Sequence, residues 1–155
     1  MLAAVESGAD HARPHPDLLA ALADERLRAV IICPSNPFIS VEPILAVSGM
    51  RQALLACAAP VIAVSPIIGG RAVKGPTAKM MAELGMTPSA AAVAKRYGDL
   101  LDGYVMDAGD ADEAAQVTPK VTLAPTLMTT LAEREQLARV VLEAADARSR
   151  VRPPK

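Results

Sequence analysis

Apolar residues gather along this chain into short unbroken runs, separated by longer stretches in which they recur every three or four positions. Residues 27–33 ("LRAVIIC") and 60–66 ("PVIAVSP") are continuous and rich in β-branched side chains. That is the pattern of strands buried on both faces of a parallel sheet. Residues 101–109 ("LDGYVMDAG") and 120–128 ("KVTLAPTLM") predict a third and a fourth strand. Helical spacing fills the gaps. Residues 43–58 place Ile44, Val47, Leu54 and Leu55 on one face, with Ser48-Gly49 as a predicted break, and the length suits the crossover of a βαβ unit.

The remaining helices announce themselves by their ends. "PDLLAALADE" from Pro16 carries proline and Asp17 in its first turn. "PTAKMMAELG" (76–85) runs from proline to a terminal Gly85, and "TPSAAAVAKRYG" (87–98) repeats that grammar with Thr87 as expected N-cap and Gly98 as stop. These two short helices are expected to cover one face of the sheet. "DADEAAQV" is a short helix expected to be capped by Asp110, and Thr129 or Thr130 caps the long amphipathic helix "LAEREQLARVVLEAADAR". Residues 1–14 lack any period and the tail at 150–155 is polar, so both are expected to be loosely held. Alternating strand and helix predicts an α/β fold, a Rossmann-like αβα sandwich with a mainly parallel sheet.

Composition narrows the classes of function. The chain has 155 residues, 52% hydrophobic and 21% charged, which suits one folded domain. No apolar run approaches the roughly 20 residues of a membrane span, so a soluble, cytoplasmic protein is expected. Aromatic residues make up 2%, and 16 basic side chains nearly balance 17 acidic ones. Stacking platforms and basic fields are therefore lacking, which argues against a nucleic-acid partner. Cys33 and Cys57 are too far apart for a CxxC motif and are expected to be free thiols. His11 and His15 have no partner at metal-ligand spacing.

Candidate chemistry sits in two loops that leave the carboxyl ends of neighbouring strands, where ligands bind in open parallel sheets. The second, "SPIIGGRAVKGP", follows Ser65 with Gly69 and Gly70, which let a backbone approach closely, and with the cations Arg71 and Lys74. The helix starting near Pro76 adds a dipole to what would be an anion site. A solvated turn with two surface cations explains the same residues equally well. The first loop, "CPSNPFIS", offers Ser35, Asn36 and Ser40 as neutral donors between two prolines, and Asx and Ser turns account for it as readily. Asp102, Asp107, Asp110 and Asp112 suit Mg²⁺ only if they converge. Walker, GxGxxG and GxSxG patterns are absent.

At these loops the chain resembles a known family. "CPSNPFISVEPILAVSGMRQAL", "PVIAVSPIIGGRAVKGPTAKMMAELG" and "SAAAVAKRYGDLLDGYVMDAGDAD", with the late "TLMTTLAEREQLARVVL", are similar to the C-terminal half of 2-phospho-L-lactate transferases (CofD), from about residue 17 to 145. The resemblance implies a transferase of coenzyme F-420 biosynthesis. Such an enzyme moves a phospholactyl or phosphoenolpyruvyl-type group from a guanosine-diphosphate conjugate to the deazaflavin precursor Fo, releasing GMP, with Mg²⁺. It places Ser35, Asn36, Ser40, Ser65, Gly69 and Gly70 near nucleotide or phosphate and makes Arg71 and Lys74 the candidate catalytic cations. Arg71→Ala in a complete enzyme is then expected to lower transfer at least as much as donor binding. The family's glycine-rich first loop and its acidic residues have no counterpart here. The chain is therefore expected to be the C-terminal part of a larger fold, nearly inactive alone, with metal ligands outside it and an exposed sheet edge. A homodimer is a further expectation. Gluconeogenesis-factor type proteins that bind UDP-sugars share the first loop, but their Cys-Asn and Thr-Gln-Pro-Gly signatures are absent. A regulatory UDP-sugar-binding module, and a structural subunit that completes its fold on a partner chain, remain the alternatives.

Overall fold

The computed structural model describes residues 11–148. The expectations of a loosely held start and tail fall mainly on residues 1–10 and 149–155, outside that range. Four strands form one sheet in chain order: β1 (Val30–Ile32), β2 (Val61–Val64), β5 (Gly103–Asp107) and β6 (Lys120–Ala124), numbered so as to leave β3 and β4 for the small hairpin described below. Every pairing is parallel, with Val30 beside Val61, Ala63 beside Tyr104 and Val105 beside Thr122. The fold is thus the Rossmann-like α/β arrangement expected.

Alternation along β2 explains the layering. Val61 and Ala63 point to one face, Ile62 and Val64 to the other, and none is more than 3% exposed. The first face packs under α1 (Pro16–Ala23), α2 (Glu42–Ala46), α3 (Met50–Ala56), α4 (Thr77–Glu83) and α5 (Ala90–Tyr97), through residues such as Leu22, Leu54, Met81 and Val93. The second packs on α6 (Leu131–Asp146), through Leu137, Val141, Ala144 and Ala145. Each fully buried aliphatic side chain contributes about 1.5–3 kcal/mol relative to exposure. Within the described residues β1 and β6 are the sheet edges, and Ile31 of β1 stays 37% exposed.

The predicted break at Ser48-Gly49 is real. Gly49 sits at φ 83°, a conformation that costs other residues dearly, and the stretch Pro37–Ala46 lies at 85° to α3. Three expectations need correction. Ser89, not Thr87, caps α5: its backbone is extended and its Oγ accepts the Ala92 N–H at 3.0 Å, because the proline at 88 holds the chain off the helix for one more residue. Asp107, not Asp110, caps the segment after β5, accepting the Gly109 N–H at 2.9 Å, and that segment (Ala108–Gln116) is 3₁₀ rather than α, kinked at Asp110. The loop at 67–76 is in part a hairpin. β3 (Ile67–Ile68) and β4 (Arg71–Ala72) pair antiparallel around Gly69 and Gly70, at φ 56° and 72°. Positive φ at both central residues is the geometry that a type I′ two-residue hairpin turn requires. No single helix among the described residues is long and apolar enough to cross a membrane.

Candidate functional site

Three chain segments that leave the carboxyl ends of strands converge on a crevice of about 270 Å³. The segment after β1 supplies Pro34 and Asn36, that after β2 supplies Ser65, Lys74 and Thr77, and that after β6 supplies Thr126, Met128 and Arg134. Sites for whole small molecules usually enclose about 300–1,000 Å³, so this space suits part of a larger ligand. A wider groove of about 690 Å³ runs beside α5, but it is open, and of its two cations, Lys95 and Arg96, the second is already paired with Glu42. The smaller crevice combines several strand ends.

The first wall is held by its own polar groups. Oδ1 of Asn36 accepts the N–H groups of Phe38 (2.9 Å) and Ile39 (3.3 Å), capping a π-helical turn over Pro37–Val41. Its carboxamide nitrogen lies 3.5 Å from the Met80 sulfur. The Phe38 ring is fully buried beneath the Arg96 guanidinium, 4.4 Å from its centroid. Ser35 folds back through its backbone N–H to the Cys33 carbonyl, and Ser40 is exposed within the π-turn. Cys33, the residue before Pro34, is exposed, whereas Cys57 is buried.

The second wall is anchored differently. Ser65, 2% exposed, both donates to the Ile67 carbonyl (3.0 Å) and accepts the Ile67 N–H (3.1 Å), which turns the chain out of β2 into the hairpin. Oδ1 of buried Asp110 accepts the Gly69 N–H at 2.8 Å and pins the hairpin tip from beneath. A side chain at residue 70 would lie against the Pro88 carbonyl, 3.5 Å from its Cβ. Burial pushes the nearby Tyr104 hydroxyl well above its ordinary value, and it serves as a donor to the Ala90 carbonyl. Past the hairpin, Lys74 is exposed at the crevice and no carboxylate among the described residues pairs with it.

The third wall was not anticipated from the sequence. Oδ2 of Asp107 accepts both the N–H (2.9 Å) and the hydroxyl (3.1 Å) of Thr126, fixing the chain as it leaves β6. Burial raises the Asp107 carboxyl, but the hydrogen bonds from Thr126 and Gly109 together outweigh it and hold the group below the usual carboxylate range. At the start of α6, Glu133 accepts from the N–H groups of Thr129 and Thr130 and from the Thr129 hydroxyl, while Thr130 caps the helix. Those bonds lower its carboxyl to about 2. Next to it Arg134 faces the crevice, exposed and without a carboxylate partner among the described residues.

Of the residues named from sequence, Asn36, Ser65 and Lys74 line the crevice. Gly69 and Gly70 shape the hairpin that leads to Lys74, while Ser35, Ser40 and Arg71 stand outside the lining, Arg71 exposed on β4. Thr77, Thr126, Met128 and Arg134 were missed. The available signal was position: "APTLM" ends a predicted parallel strand, and ligands gather at such ends. The four aspartates do not converge, since Asp102 Oδ2 accepts the Val61 N–H at the opposite end of the sheet. Among the described residues no group of three or more His, Cys, Asp or Glu is placed to hold a metal ion. The described side chains therefore offer no all-protein cage for Mg²⁺.

Comparison with known proteins identifies the family. The model of 2-phospho-L-lactate transferase CofD matches residues 2–144. The chain is 41% identical over 150 residues to a phosphoenolpyruvate transferase of Kitasatospora aureofaciens, covering 93% of this chain and 46% of that relative. It is 39% identical over 140 residues to a 2-phospho-L-lactate transferase of Methanosarcina mazei, covering 88% and 45%. A phosphoenolpyruvate transferase of Mycolicibacterium smegmatis is 37% identical over 127 residues, covering 79% of this chain and 38% of its own. The chain thus spans about half the length, or less, of the curated relatives it matches. By the match over almost its whole length, this chain belongs to the 2-phospho-L-lactate transferase CofD family.

Proposed function

We propose that the chain supplies the C-terminal half of a transferase acting on a guanosine-diphosphate conjugate of a three-carbon acid, with the deazaflavin Fo as acceptor, in coenzyme F-420 biosynthesis. The observation that carries this reading is the crevice itself. It stands at the carboxyl ends of parallel strands, with the Asn36 carboxamide on one wall and, at its rim, Lys74, which no carboxylate among the described residues pairs with. The names of the similar proteins, phosphoenolpyruvate transferase and 2-phospho-L-lactate transferase, supply the class of group transferred.

In the proposed reaction the terminal hydroxyl oxygen of Fo attacks the phosphorus that bears the three-carbon acid. The P–O bond to GMP breaks, the leaving oxygen keeps the electron pair, and the hydroxyl proton passes to solvent. Little of this is covalent work for a protein, so positioning and charge stabilisation dominate. Lys74 offsets charge on the phosphoryl oxygens, while Ser65 and the Asp110-pinned hairpin hold its loop in register. The Asn36 carbonyl accepts from the backbone and one N–H of its NH₂ group is aimed at the Met80 sulfur, so a single N–H is left to donate to a ligand. Mg²⁺, expected from the family, would draw its ligands from outside the described residues.

Calorimetric titration of the chain with GDP and with UDP-N-acetylglucosamine tests the reading. GDP is expected to bind at least tenfold more tightly. Tighter binding of the UDP-sugar would replace the transferase by a regulatory sugar-nucleotide module.

A further inference from the structure

The crevice carries a second cation that the sequence pattern does not single out. Arg134 lies in the first turn of α6, the 16-residue helix Leu131–Asp146. A cation there opposes the positive end of the helix dipole and is locally unfavourable. The helix is otherwise built to the usual rules: Thr130 and Glu133 form a reciprocal capping box. A local rule broken beside a rule kept is expected at functional positions. The capping box also means that the helix end is already served by its own carboxylate. An anion in the crevice must therefore be met by side chains. Arg134 stands on the wall after β6 and Lys74 on the wall after β2, and neither is neutralised by a carboxylate among the described residues.

We infer that Arg134 is a substrate-binding residue, and that with Lys74 it makes the crevice a receptor for a small ligand bearing two separate anionic groups, a phosphate and a carboxylate. The two cations are chemically different. A guanidinium presents a planar fork that matches a carboxylate in two parallel hydrogen bonds, whereas an ammonium is a compact charge suited to a phosphate oxygen. Arg134 accordingly takes the carboxylate and Lys74 the phosphate. The Ser65 and Thr126 hydroxyls on the same walls are committed to the Ile67 carbonyl and to Asp107, so Asn36 is the neutral donor there, and a volume of about 270 Å³ is in scale with a three-carbon phospho-acid rather than with a whole nucleotide conjugate. The inference rests on the proposed transferase reading and deepens it, because it assigns the crevice to the transferred group and leaves the nucleoside to lie beyond it.

The test is calorimetric titration of the chain with phosphoenolpyruvate, pyruvate and inorganic phosphate, at fixed low salt, for the wild type and for Arg134→Gln, Arg134→Lys and Lys74→Gln. Phosphoenolpyruvate is expected to bind at least tenfold more tightly than phosphate. Arg134→Gln should remove that advantage, lowering phosphoenolpyruvate affinity about tenfold while changing phosphate affinity less than threefold. Lys74→Gln should weaken phosphate and phosphoenolpyruvate alike. Arg134→Lys should restore part of the loss, since charge returns without the fork. Arg134→Gln relieves an unfavourable dipole contact, so its Tm should equal or exceed that of the wild type, which separates a binding role from a folding one. Unchanged phosphoenolpyruvate affinity in Arg134→Gln, or an equal loss for phosphate, would overturn the inference, as would a wild type that binds none of the three. Preference for the UDP-sugar over GDP, with the Arg134 pattern intact, would instead overturn the transferase reading alone.

Discussion

The two loops quoted from the sequence use similar residues to opposite ends. In the loop after β1, the polar side chain that reaches the crevice spends its carbonyl on its own backbone: Asn36 closes a turn over Phe38 and Ile39, and Phe38 is clamped under Arg96. The loop after β2 hides its anchors, Ser65 and Asp110, beneath the hairpin and leaves Lys74 without a carboxylate partner among the described residues. Proline and asparagine thus make a rigid wall on one side. Buried anchors make on the other a wall that presents an exposed cation. A site of this kind needs both, because a cation is useful only where its distance from the opposite wall is fixed.

The contrast can be broken from either side. The largest effect should come from Phe38→Ala, which empties a fully buried position. It should destabilise the chain by about 3–5 kcal/mol in urea unfolding, and a loss under 1 kcal/mol would show that the first wall is not held by its ring. Asp110→Ala should come next, at about 1.5 kcal/mol, because the Gly69 N–H loses its acceptor. It should also weaken binding of phosphoenolpyruvate through the loosened Lys74 loop. Asn36→Ala should cost about 1 kcal/mol, as for other helix caps, with affinity reduced less than threefold. A tenfold loss of affinity there would mean that the Asn36 NH₂ group grips the ligand, and the two walls would no longer differ in kind.

The smallest effect concerns pH. Asp107 and Glu133 both have folded-state carboxyls held below their ordinary values, Glu133 at about 2. The stability they contribute is complete above their unfolded values, near 4, and is lost as pH falls through the folded ones. The urea midpoint of the wild type should therefore decline between about pH 4 and pH 2, and Glu133→Gln should flatten part of that decline. An identical slope in the variant would remove Glu133 from the account.

Much of the fold was legible because continuous β-branched runs and terminal glycines are strong signals. All four strands lie within their predicted ranges, and the Ser48-Gly49 break is where the left-handed Gly49 stands. The Gly69-Gly70 turn was misread as an open loop because flanking strands of two residues are too short to show a period. Thr87 lost the cap to Ser89 because the two obey the same local rule, and only the backbone path around the proline between them decides. The site was half visible. Lys74 and Ser65 sit beside the strand that announces them, whereas Arg134 lies on the polar face of a helix, where a cation that meets a ligand and a cation that meets water look alike. Asp110 was legible as an acid but not as the anchor of a glycine some forty residues earlier.

The contrast between the two thiols has a practical consequence. Cys33 is exposed at the end of β1, next to a residue of the crevice wall, while Cys57 is sealed in the core. An environment-sensitive fluorophore coupled through maleimide would attach to one position of the folded chain without any substitution. Its emission would then report occupancy of the crevice, so the wild-type polypeptide comes already equipped as an optical sensor of its own ligand.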